Sequence, residues 1–260
     1  MKNEWMNNRG NLKDAKEPFR LGGLCLGIVC PMANERATAA EFVNLVLEQC
    51  KGFGGVRFFA IFDNSCEDGT FELLERMQEE MAELRVVWAA ENTCVADAYI
   101  RGYHEALDAG CDWILEIDAG FSHQPSEIAR FFDKMSQGYD CVFGSRFCKG
   151  GKFKEAPFRR YLISRWGSIV TNLLMGTELT DMTSGFELFT SAALRKVLER
   201  GIRSRGHFFQ TEIKIYCRDL RIAEVPISYR SPSQSVNLGI LVDAFGNLFR
   251  LFGKRLAGRL

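Results

Sequence analysis

Apolar runs of strand length alternate along the chain with longer segments of helical period. The strand-like runs are LCLGIVC (24–30), VRFFAIF (56–62), RVVWA (85–89), WILEI (113–117) and DCVFGS (140–145). Segments of helical period lie between them at 37–50, 70–82, 95–109 and 126–136. This alternation is typical of parallel βαβ units, and strands that are apolar throughout indicate a sheet covered on both faces. The pattern therefore predicts an α/β fold with a mostly parallel sheet flanked by helices.

The pattern changes beyond Ser145. A Gly/Lys-rich loop, CKGGKFKEAP (148–157), precedes a predicted helix at about 158–175 and a strand, GFELFT (185–190). Further predicted elements are helices at about 192–200 and 208–219, the strand IAEVPISY (222–229) and a final helix. We divide the chain into a polar leader over 1–20, one α/β domain over 21–235 and an amphipathic helix over 236–260.

Composition narrows the class of protein. The 260 residues are 47% hydrophobic and 25% charged, which is ordinary for a soluble globular protein. The 33 basic and 33 acidic residues cancel, which argues against a general nucleic-acid binder. Nine cysteines form no CxxC pair and the three histidines are scattered, so reduced thiols are expected. The first 20 residues lack a secretory signal pattern, and no apolar run approaches the roughly 18 residues that span a bilayer, which predicts a soluble or peripheral protein.

Carboxylates follow two of the predicted strands directly. Asp118 comes after WILEI, and Asp63 and Asn64 come after VRFFAIF. Ligands of open α/β sheets bind beyond the carboxyl ends of the strands. A carboxylate at the end of a buried strand is costly unless a hydrogen-bond donor, a cation or a metal meets it. We therefore predict that Asp118 faces a ligand, whereas ligand contact by Asp63 remains open at this point.

The loop after the first strand offers a second candidate contact. In CPMANER (30–36), Pro31 stiffens the turn and Glu35 lies near a predicted helix start. Helix starts are natural phosphate sites, although Glu35 would repel a phosphate, and a plain helix start remains the alternative. In the next loop, Asp68 is a candidate cap for the following helix.

Basic residues cluster in the second half of the chain. Residues 149–165 carry six Lys or Arg side chains, Arg160 and Arg165 among them, against the single acid Glu155. Arg146, at the end of the fifth strand, adds a cation at the same predicted edge. The cluster could hold phosphates or form a solvated basic face, since charge runs are usually the latter.

Polar residues also interrupt two apolar segments, and the last predicted helix is amphipathic. TDMTSGFELF (180–189) presents Asp181 and Ser184 in a turn, and HFFQTEI (207–213) places Gln210 and Glu212 among apolar residues. Such groups need partners, so both core hydrogen bonding and substrate contact remain open. The last helix has apolar residues on one face and basic residues beside them, which suits either packing on the body or an interfacial membrane helix.

These segments, taken in order from about residue 24 to 230, resemble the family-2 glycosyltransferases of the GT-A fold. Within that family they are most similar to the dolichyl- or polyprenyl-phosphate mannosyltransferase branch. CPMANER resembles P-x-Y-N-E, DNSCEDGT resembles D-D-G-S-x-D-G-T, and IDAGFSHQP resembles M-D-A-D-x-S-H-x-P. The segments similar to later blocks are FGSRFCKGG, RRYLISRWGS, DMTSGFELF, FFQTEI and EVPISY.

The resemblance implies roles for particular residues. Those implied to bind the nucleotide are Pro31, Glu35, Asp63, Asn64 and Asp118. Those implied to act on the phosphates or the reaction are Asp118, Arg146, Arg160 and Arg165. Those implied to contact acceptor or sugar are Asp181, Ser184, Gln210 and Glu212. Asp118 is similar to the first acid of the D-x-D metal site, which implies a Mg²⁺ or Mn²⁺ ion bound together with the nucleotide.

Three departures from the family pattern bear on function. Gly120 replaces the second acid of D-x-D, Glu187 replaces an arginine common after S-G-F, and RSPSQSVN (230–237) lacks the lysine of G-x-S-K. The first weakens metal binding, and the other two concern the acceptor.

The resemblance implies an inverting hexosyltransferase that uses a nucleotide-sugar, GDP-mannose or a UDP-sugar, and a polyprenyl phosphate. The enzyme would be peripheral on the cytoplasmic face of a membrane, attached through the C-terminal helix. The departures leave open a transferase with a soluble acceptor, or a non-catalytic sugar-nucleotide-binding subunit.

Overall fold

The computed structural model describes residues 21–154, 157–230 and 238–260. The predicted leader over 1–20 lies outside the described residues. So does most of RSPSQSVN, together with the predicted boundary at 235/236. The departure at that segment therefore has no structural account here.

Among the described residues, seven strands form one mixed sheet and two short strands form a separate pair. The strands of the main sheet are β1 (Cys25–Pro31), β2 (Gly55–Phe62), β3 (Leu84–Trp88), β4 (Trp113–Glu116), β5 (Cys141–Ser145), β7 (Glu187–Thr190) and β8 (Ile222–Pro226). Their order is β3-β2-β1-β4-β7-β5-β8. Only β7 runs antiparallel to its neighbours, β4 and β5. The predicted mostly parallel sheet is confirmed.

Helices cover both faces of the sheet. They are α1 (Ala39–Gln49), α2 (Thr70–Glu80), α3 (Val95–Asp108), α4 (Ala129–Met135), α5 (Phe158–Met175), α6 (Ser191–Glu199), α7 (Phe208–Tyr216) and α8 (Leu238–Leu256). Two clusters of buried apolar residues, one on each face, share the strands between them. Their alternating side chains explain why the strands read as apolar throughout.

One predicted strand is wrong in its extent. IAEVPISY was expected as a single strand over 222–229, but it divides at Ile227 into β8 and β9 (Ser228–Arg230). β8 pairs with β5, whereas β9 leaves the main sheet and pairs with β6 (Lys152–Lys154). β6 lies in the Gly/Lys-rich segment predicted as a loop. Each of these three-residue strands forms by pairing with a segment far along the chain, so its own sequence shows no strand-like pattern.

The C-terminal helix packs on the body along only part of its surface. Leu248 and Leu251 are buried against α5 and α7, while Val242, Phe245 and Phe249 are 65%, 53% and 62% exposed. Within the residues that the structure describes, no helix combines the length and apolarity needed to cross a bilayer.

Candidate active site

Two adjoining hollows open at the carboxyl ends of the parallel strands. The first, which we call the β1–β2 cleft, has a volume of about 570 Å³ and is lined by residues that include Pro31, Glu35 and Asp63. The second, the α5–α8 cavity, has a volume of about 600 Å³ and includes Asp118 in its wall. Val95 lines both, so the two hollows meet at the start of α3. This edge is where ligands of open α/β sheets bind.

Asp63 closes a turn at the end of β2 and lines the β1–β2 cleft. Its Oδ1 atom accepts hydrogen bonds from the Ser65 backbone N–H at 2.9 Å and from the Ser65 hydroxyl at 2.6 Å. Asn64 is exposed and donates to the Ala90 carbonyl at 3.2 Å. Both residues line the cleft, which places them where the sequence predicted a ligand contact.

Glu35 has a structural task in addition to its place in the cleft wall. Its Oε2 atom accepts a hydrogen bond from the Ala33 backbone N–H at 2.6 Å, which fixes the turn after β1. Burial raises the pKa of the Glu35 carboxyl even though this hydrogen bond lowers it. Asp68 accepts from the Thr70 N–H at 2.9 Å and from the Arg36 N–H at 3.0 Å. Asp68 therefore supports the start of α2 and ties it to the turn after β1.

Asp118 is held by a tyrosine and faces the α5–α8 cavity. The Tyr99 hydroxyl of α3 donates a hydrogen bond to Asp118 Oδ1. Burial, with the nearby Asp118 charge, raises the pKa of Tyr99 well above its usual value, so the hydroxyl remains a donor. The Asp118 side chain is 32% exposed. A fixed carboxylate with one oxygen held by Tyr99 is thus presented to the α5–α8 cavity.

His123 supports Asp118 from behind as a neutral group. The Asp118 backbone N–H donates to His123 Nδ1 at 3.2 Å, so the imidazole proton is on Nε2. Burial lowers the pKa of His123 to about 4. The 3.7 Å approach of Nδ1 to Asp118 Oδ2 is therefore no ion pair at neutral pH. His123 is therefore buried against the strand end and uncharged at neutral pH.

Gly120 adopts a left-handed backbone with φ +67°, and Phe121 follows at φ +60°. A Cβ at position 120 would have Glu35 Cγ as its nearest neighbour, at 3.8 Å, so the space is open. The glycine that replaces the expected second acid therefore suits the turn, although Asp also tolerates this conformation better than most residues. The described residues hold no group of three or more His, Cys, Asp or Glu side chains that could bind a metal.

Arg146 lines the α5–α8 cavity and forms a buried ion pair with Asp181, which does not line it. Arg146 Nε and Nη2 donate to the two Asp181 oxygens at 2.7 Å each, and the Arg146 backbone N–H adds a third bond at 3.0 Å. Burial alone would raise the pKa of Asp181, but Arg146 lowers it to about 2. The guanidinium also packs 4.8 Å from the Phe153 ring centroid. Two residues predicted to contact ligand thus neutralise each other.

The other two predicted arginines occupy different positions. Arg160 lines the α5–α8 cavity and lies 5.9 Å from the Tyr229 ring centroid. Arg165, further along α5, donates to the Thr180 carbonyl at 3.4 Å and packs on Phe147, and it does not itself line the cavity. Arg160 therefore stays a predicted phosphate contact, and the structure gives Arg165 contacts that stabilise the loop before β7.

Ser184 and Gln210 line the α5–α8 cavity near Asp118. Gln210 Nε2 donates to Glu116 Oε1 at 2.9 Å, so the amide orientation is fixed from within the sheet. A Cβ at position 185 would lie 1.7 Å from Gln210 Nε2, which explains the glycine after Ser184. Glu212, by contrast, does not line the cavity. It accepts hydrogen bonds from the loop before α7 and from Arg250 of α8.

A buried charged cluster behind the site was not predicted from the sequence. Glu116 and Glu187 are direct cross-strand partners on β4 and β7, and Lys214 Nζ lies 2.7 Å from Glu187 Oε1. Burial raises the pKa of both carboxyls, that of Glu187 to about 7. Glu187 stands where the family has an arginine, and Lys214 supplies the positive charge that compensates the Glu187 carboxylate. The sequence alone did not reveal the pairing of Lys214 with Glu187, because Lys214 lies on α7 and Glu187 on β7.

Two apolar stripes flank the mouth of the α5–α8 cavity. The exposed apolar residues of α5 are Phe158, Leu162, Trp166, Ile169 and Leu173, and those of α8 are Val242, Phe245, Phe249 and Leu256. Leu162, Trp166 and Phe245 also line the cavity, so the exposed surface continues into it. Contiguous exposed apolar side chains are typical of binding or membrane-contact surfaces.

The glycosyl transferase family 2 model matches residues 27–198, which includes both strand-end carboxylates and Arg165. The chain belongs to this family. Among characterised relatives, it is 32% identical over 195 residues to an undecaprenyl-phosphate mannosyltransferase from Micrococcus luteus, covering 73% of this chain and 80% of that protein. It is 26% identical over 205 residues to a polyprenol monophosphomannose synthase from Mycolicibacterium smegmatis, covering 78% and 76%.

Solved structures confirm the GT-A fold of this glycosyltransferase. Glucosyl-3-phosphoglycerate synthase of Mycobacterium tuberculosis, in complex with UDP, matches with a TM-score of 0.65 at 15% identity, covering 89% of this chain and 81% of that one. Its complex with Mn²⁺, UDP-glucose and glycerol 3-phosphate matches with a TM-score of 0.62 at 15% identity, covering 91% and 80%. At this identity the likeness concerns the fold alone.

Proposed function

We propose that this glycosyltransferase moves a hexose from a nucleotide-sugar to a polyprenyl phosphate, with inversion at the anomeric carbon. The observation that carries the proposal is the α5–α8 cavity, an apolar hollow that reaches from exposed apolar stripes to Asp118 and Arg160. A long isoprenoid chain needs an apolar wall, and its phosphate needs a cation at the inner end. The two relatives, an undecaprenyl-phosphate mannosyltransferase and a polyprenol monophosphomannose synthase, support the same acceptor class.

The β1–β2 cleft is the proposed site of the nucleotide. Asp63 and Asn64 offer a carboxylate and an amide to the base or ribose, and Pro31 and Glu35 shape the wall. Because this cleft and the α5–α8 cavity meet at Val95, the nucleotide in the cleft would extend its diphosphate and sugar past the start of α3 toward Asp118 in the cavity wall. The proposed donor is GDP-mannose or a UDP-sugar.

The chemistry suits a site without a strong base. A phosphate monoester is already ionised at neutral pH, so one of its oxygens can attack the anomeric carbon without losing a proton to the enzyme. The bond from that carbon to the nucleoside diphosphate breaks as the new bond forms. The enzyme's part is to align the two reactants and to stabilise the charge on the leaving diphosphate. His123, which is buried and neutral, is consistent with a reaction that needs no strong base.

A Mg²⁺ or Mn²⁺ ion fits this site only in company with the nucleotide. Asp118 provides one carboxylate, and Gly120 provides none where a second acid was expected. Magnesium often binds through one carboxylate together with substrate phosphates. When bound, the ion would neutralise charge on the diphosphate. The solved Mn²⁺ complexes of the related fold also contain a UDP group.

We expect negligible Mn²⁺ affinity in the free protein and measurable affinity once GDP or UDP is present. Gly120→Asp should tighten Mn²⁺ binding in the presence of nucleotide by about tenfold, because it adds an oxygen ligand and a charge. The matched control is Gly110→Asp, since Gly110 also has a positive φ, of +74°, with no atom within 4 Å of its Cβ position. Calorimetric titration decides the matter: tight Mn²⁺ binding by the nucleotide-free wild type would contradict the assignment.

The nucleotide assignment predicts a specific loss in Asp63→Asn. Asparagine keeps an oxygen for the Ser65 turn but removes the charge, so the fold should persist while nucleotide affinity falls about tenfold. Glu67→Gln, in the same exposed loop, is the control. Calorimetry with GDP and with UDP measures both variants, and equal affinities in wild type and Asp63→Asn would remove Asp63 from the nucleotide site.

We further propose that the two apolar stripes rest on the cytoplasmic face of a membrane. Deleting residues 238–260 would be a poor test, because it removes buried Leu248 and Leu251 from the core. The lipid would cover the exposed residues of α5 and α8, and the polyprenyl chain would pass from it into the cavity. All nine cysteines are free thiols, which supports a reducing compartment.

Membrane contact through both helices predicts that Leu173→Glu and Phe249→Glu each lower vesicle binding by at least about tenfold, since each removes a large apolar side chain from lipid. Both positions are highly exposed, at 80% and 62%, so the fold should tolerate the changes. Trp88→Glu, on edge strand β3 and 44% exposed, is the control. The measurement is sedimentation with phosphatidylglycerol vesicles, and binding by all three variants equal to wild type would refute the surface.

The acceptor assignment is tested by chain length. With a fixed donor, kcat/KM for a polyprenyl phosphate should exceed that for glycerol 3-phosphate by at least about a hundredfold, because only the former fills the apolar cavity. Equal or inverted values would assign the site to a soluble acceptor.

A further inference from the structure

The loop between α6 and α7, residues 200–207, lies between the membrane-facing helix α8 and the wall of the β1–β2 cleft. Its contacts on the α8 side run through Glu212, and its contact on the cleft side runs through Arg205. Neither residue has a role in the chemistry proposed above. The loop therefore offers a physical connection between two regions that the reaction uses separately.

Glu212 joins the loop to α8 through a single buried carboxylate. Its Oε2 atom accepts from the Ser204 N–H at 2.9 Å, the Ser204 hydroxyl at 2.5 Å and the Arg203 N–H at 3.2 Å. Its Oε1 atom accepts from Arg250 Nη2 at 2.7 Å. Burial acts to raise the pKa of Glu212, but Arg250 and Ser204 hold it below its usual value. Moving α8 away would leave this buried charge short of its cation, so loop and helix hold their positions together.

Arg205 joins the same loop to the cleft. Its guanidinium donates to the Thr93 hydroxyl and lies 3.8 Å from Asp97 Oδ2. Asp97 in turn accepts from the Thr93 N–H at 2.9 Å and from the Thr93 hydroxyl at 2.6 Å. Thr93 lines the β1–β2 cleft. Arg205 thus fixes part of the wall against which the nucleotide binds.

We propose that Arg205 is a positioning residue for the nucleotide site and that, through Glu212 and Arg250, it couples the seating of α8 to nucleotide affinity. The inference rests on the proposed function, since lipid is what seats α8. In water, the side chains of Val242, Phe245 and Phe249 are exposed to solvent. Lipid would bury them and leave the buried Leu248 and Leu251 in place. Lipid therefore stabilises α8 in its packed position. Through the contacts above, it also stabilises the loop over 200–207 and the wall of the β1–β2 cleft. By linkage, nucleotide must raise vesicle affinity by the same factor as vesicles raise nucleotide affinity.

The test measures GDP and UDP affinity by calorimetry, with and without vesicles of equal parts phosphatidylglycerol and phosphatidylcholine. In wild type, vesicles should tighten binding of the cognate nucleotide about fivefold, and that nucleotide should tighten vesicle binding about fivefold. In Arg205→Ala both effects should vanish, while nucleotide still binds. The Arg205 side chain is 66% exposed, so this variant should fold normally.

Arg203→Ala is the matched control, because it removes the same charge from the same loop while its backbone N–H still donates to Glu212. It should keep the full coupling, and Arg205→Lys should restore part of it. Vesicle binding with no change in nucleotide affinity would overturn the coupling and leave the proposed function intact. Absence of vesicle binding would overturn the membrane surface and the coupling together. Undiminished coupling in Arg205→Ala would exclude Arg205 as the connection.

Discussion

Asp118→Asn should lower kcat/KM for sugar transfer by about a hundredfold or more while leaving the melting temperature nearly unchanged. Removing one electrostatic group that acts on charge in a transition state costs this much in other enzymes. Asparagine keeps an oxygen that can accept the Tyr99 hydrogen bond, and the side chain is partly exposed, so the fold loses little. The measurement is transfer of radiolabelled sugar, paired with thermal unfolding of the same preparation.

Asp112→Asn is the control for that variant. Asp112 precedes β4 just as Asp118 follows it, and its Oδ2 atom accepts a hydrogen bond from the Cys25 N–H at 2.8 Å at the opposite end of the sheet. The same chemical change at the far end of one strand should leave turnover per folded molecule unaltered. If Asp112→Asn and Asp118→Asn lose equal activity, the effect is structural and Asp118 is not part of the reaction site.

Arg146→Met should destabilise the protein by about 3–5 kcal/mol, because it leaves the fully buried Asp181 carboxylate without its cation. For a chain of this size, that corresponds to a melting temperature about 10 °C lower. Arg101→Met, which breaks partly exposed pairs with Glu91 and Glu105, should change the free energy of unfolding by about 1 kcal/mol or less. Denaturant unfolding separates the two cases.

The double variant Arg146→Met/Asp181→Leu distinguishes a buried ion pair from a phosphate site. Replacing both charges with apolar groups should recover much of the stability lost in Arg146→Met. If Arg146→Met instead unfolds at the wild-type temperature and loses turnover, the guanidinium serves the substrate, as the family resemblance implied.

The Asp181 pair also predicts the direction of a pH dependence. The pKa of Asp181 is lowered from 3.8 to about 2 in the folded state, so the unfolded chain binds its proton more readily. The resulting stability is complete above pH 3.8 and is lost as the pH falls toward about 2. Asp181→Leu in the Arg146→Met background should lack this component of acid sensitivity.

Periodicity predicted most of the fold because strands buried on both faces are apolar throughout and the helices between them are amphipathic. It failed where pairing partners lie far apart along the chain. β6 and β9 contain three residues each, and each is a strand only because it pairs with the other. Neither therefore shows a strand-like hydrophobic pattern in the sequence. The division of IAEVPISY at Ile227 follows from the same long-range pairing.

The strand-end argument placed Asp63 and Asp118 at the edge where the two hollows lie, because the carboxyl ends of parallel strands share one edge. Their contact with a ligand stays a prediction. It could not say which charges face a ligand and which face each other. Asp181 with Arg146, and Glu212 with Arg250, are contacts between segments 35 and 38 residues apart. Tyr99, which holds Asp118, reads in the sequence as one more aromatic residue on the buried face of α3. Side chains at such separations become neighbours only after the sheet has assembled.

The most direct test of the central claim is the phase into which the transferred sugar partitions. The intact chain is incubated with radiolabelled GDP-mannose or a radiolabelled UDP-hexose, Mn²⁺ and a polyprenyl phosphate, and the mixture is extracted into organic solvent. A polyprenyl phosphate acceptor predicts that label enters the lipid phase in wild type and falls about a hundredfold or more in Asp118→Asn. Label that stays in the aqueous phase as a new sugar product, or no transfer from any of these donors, would contradict the claim.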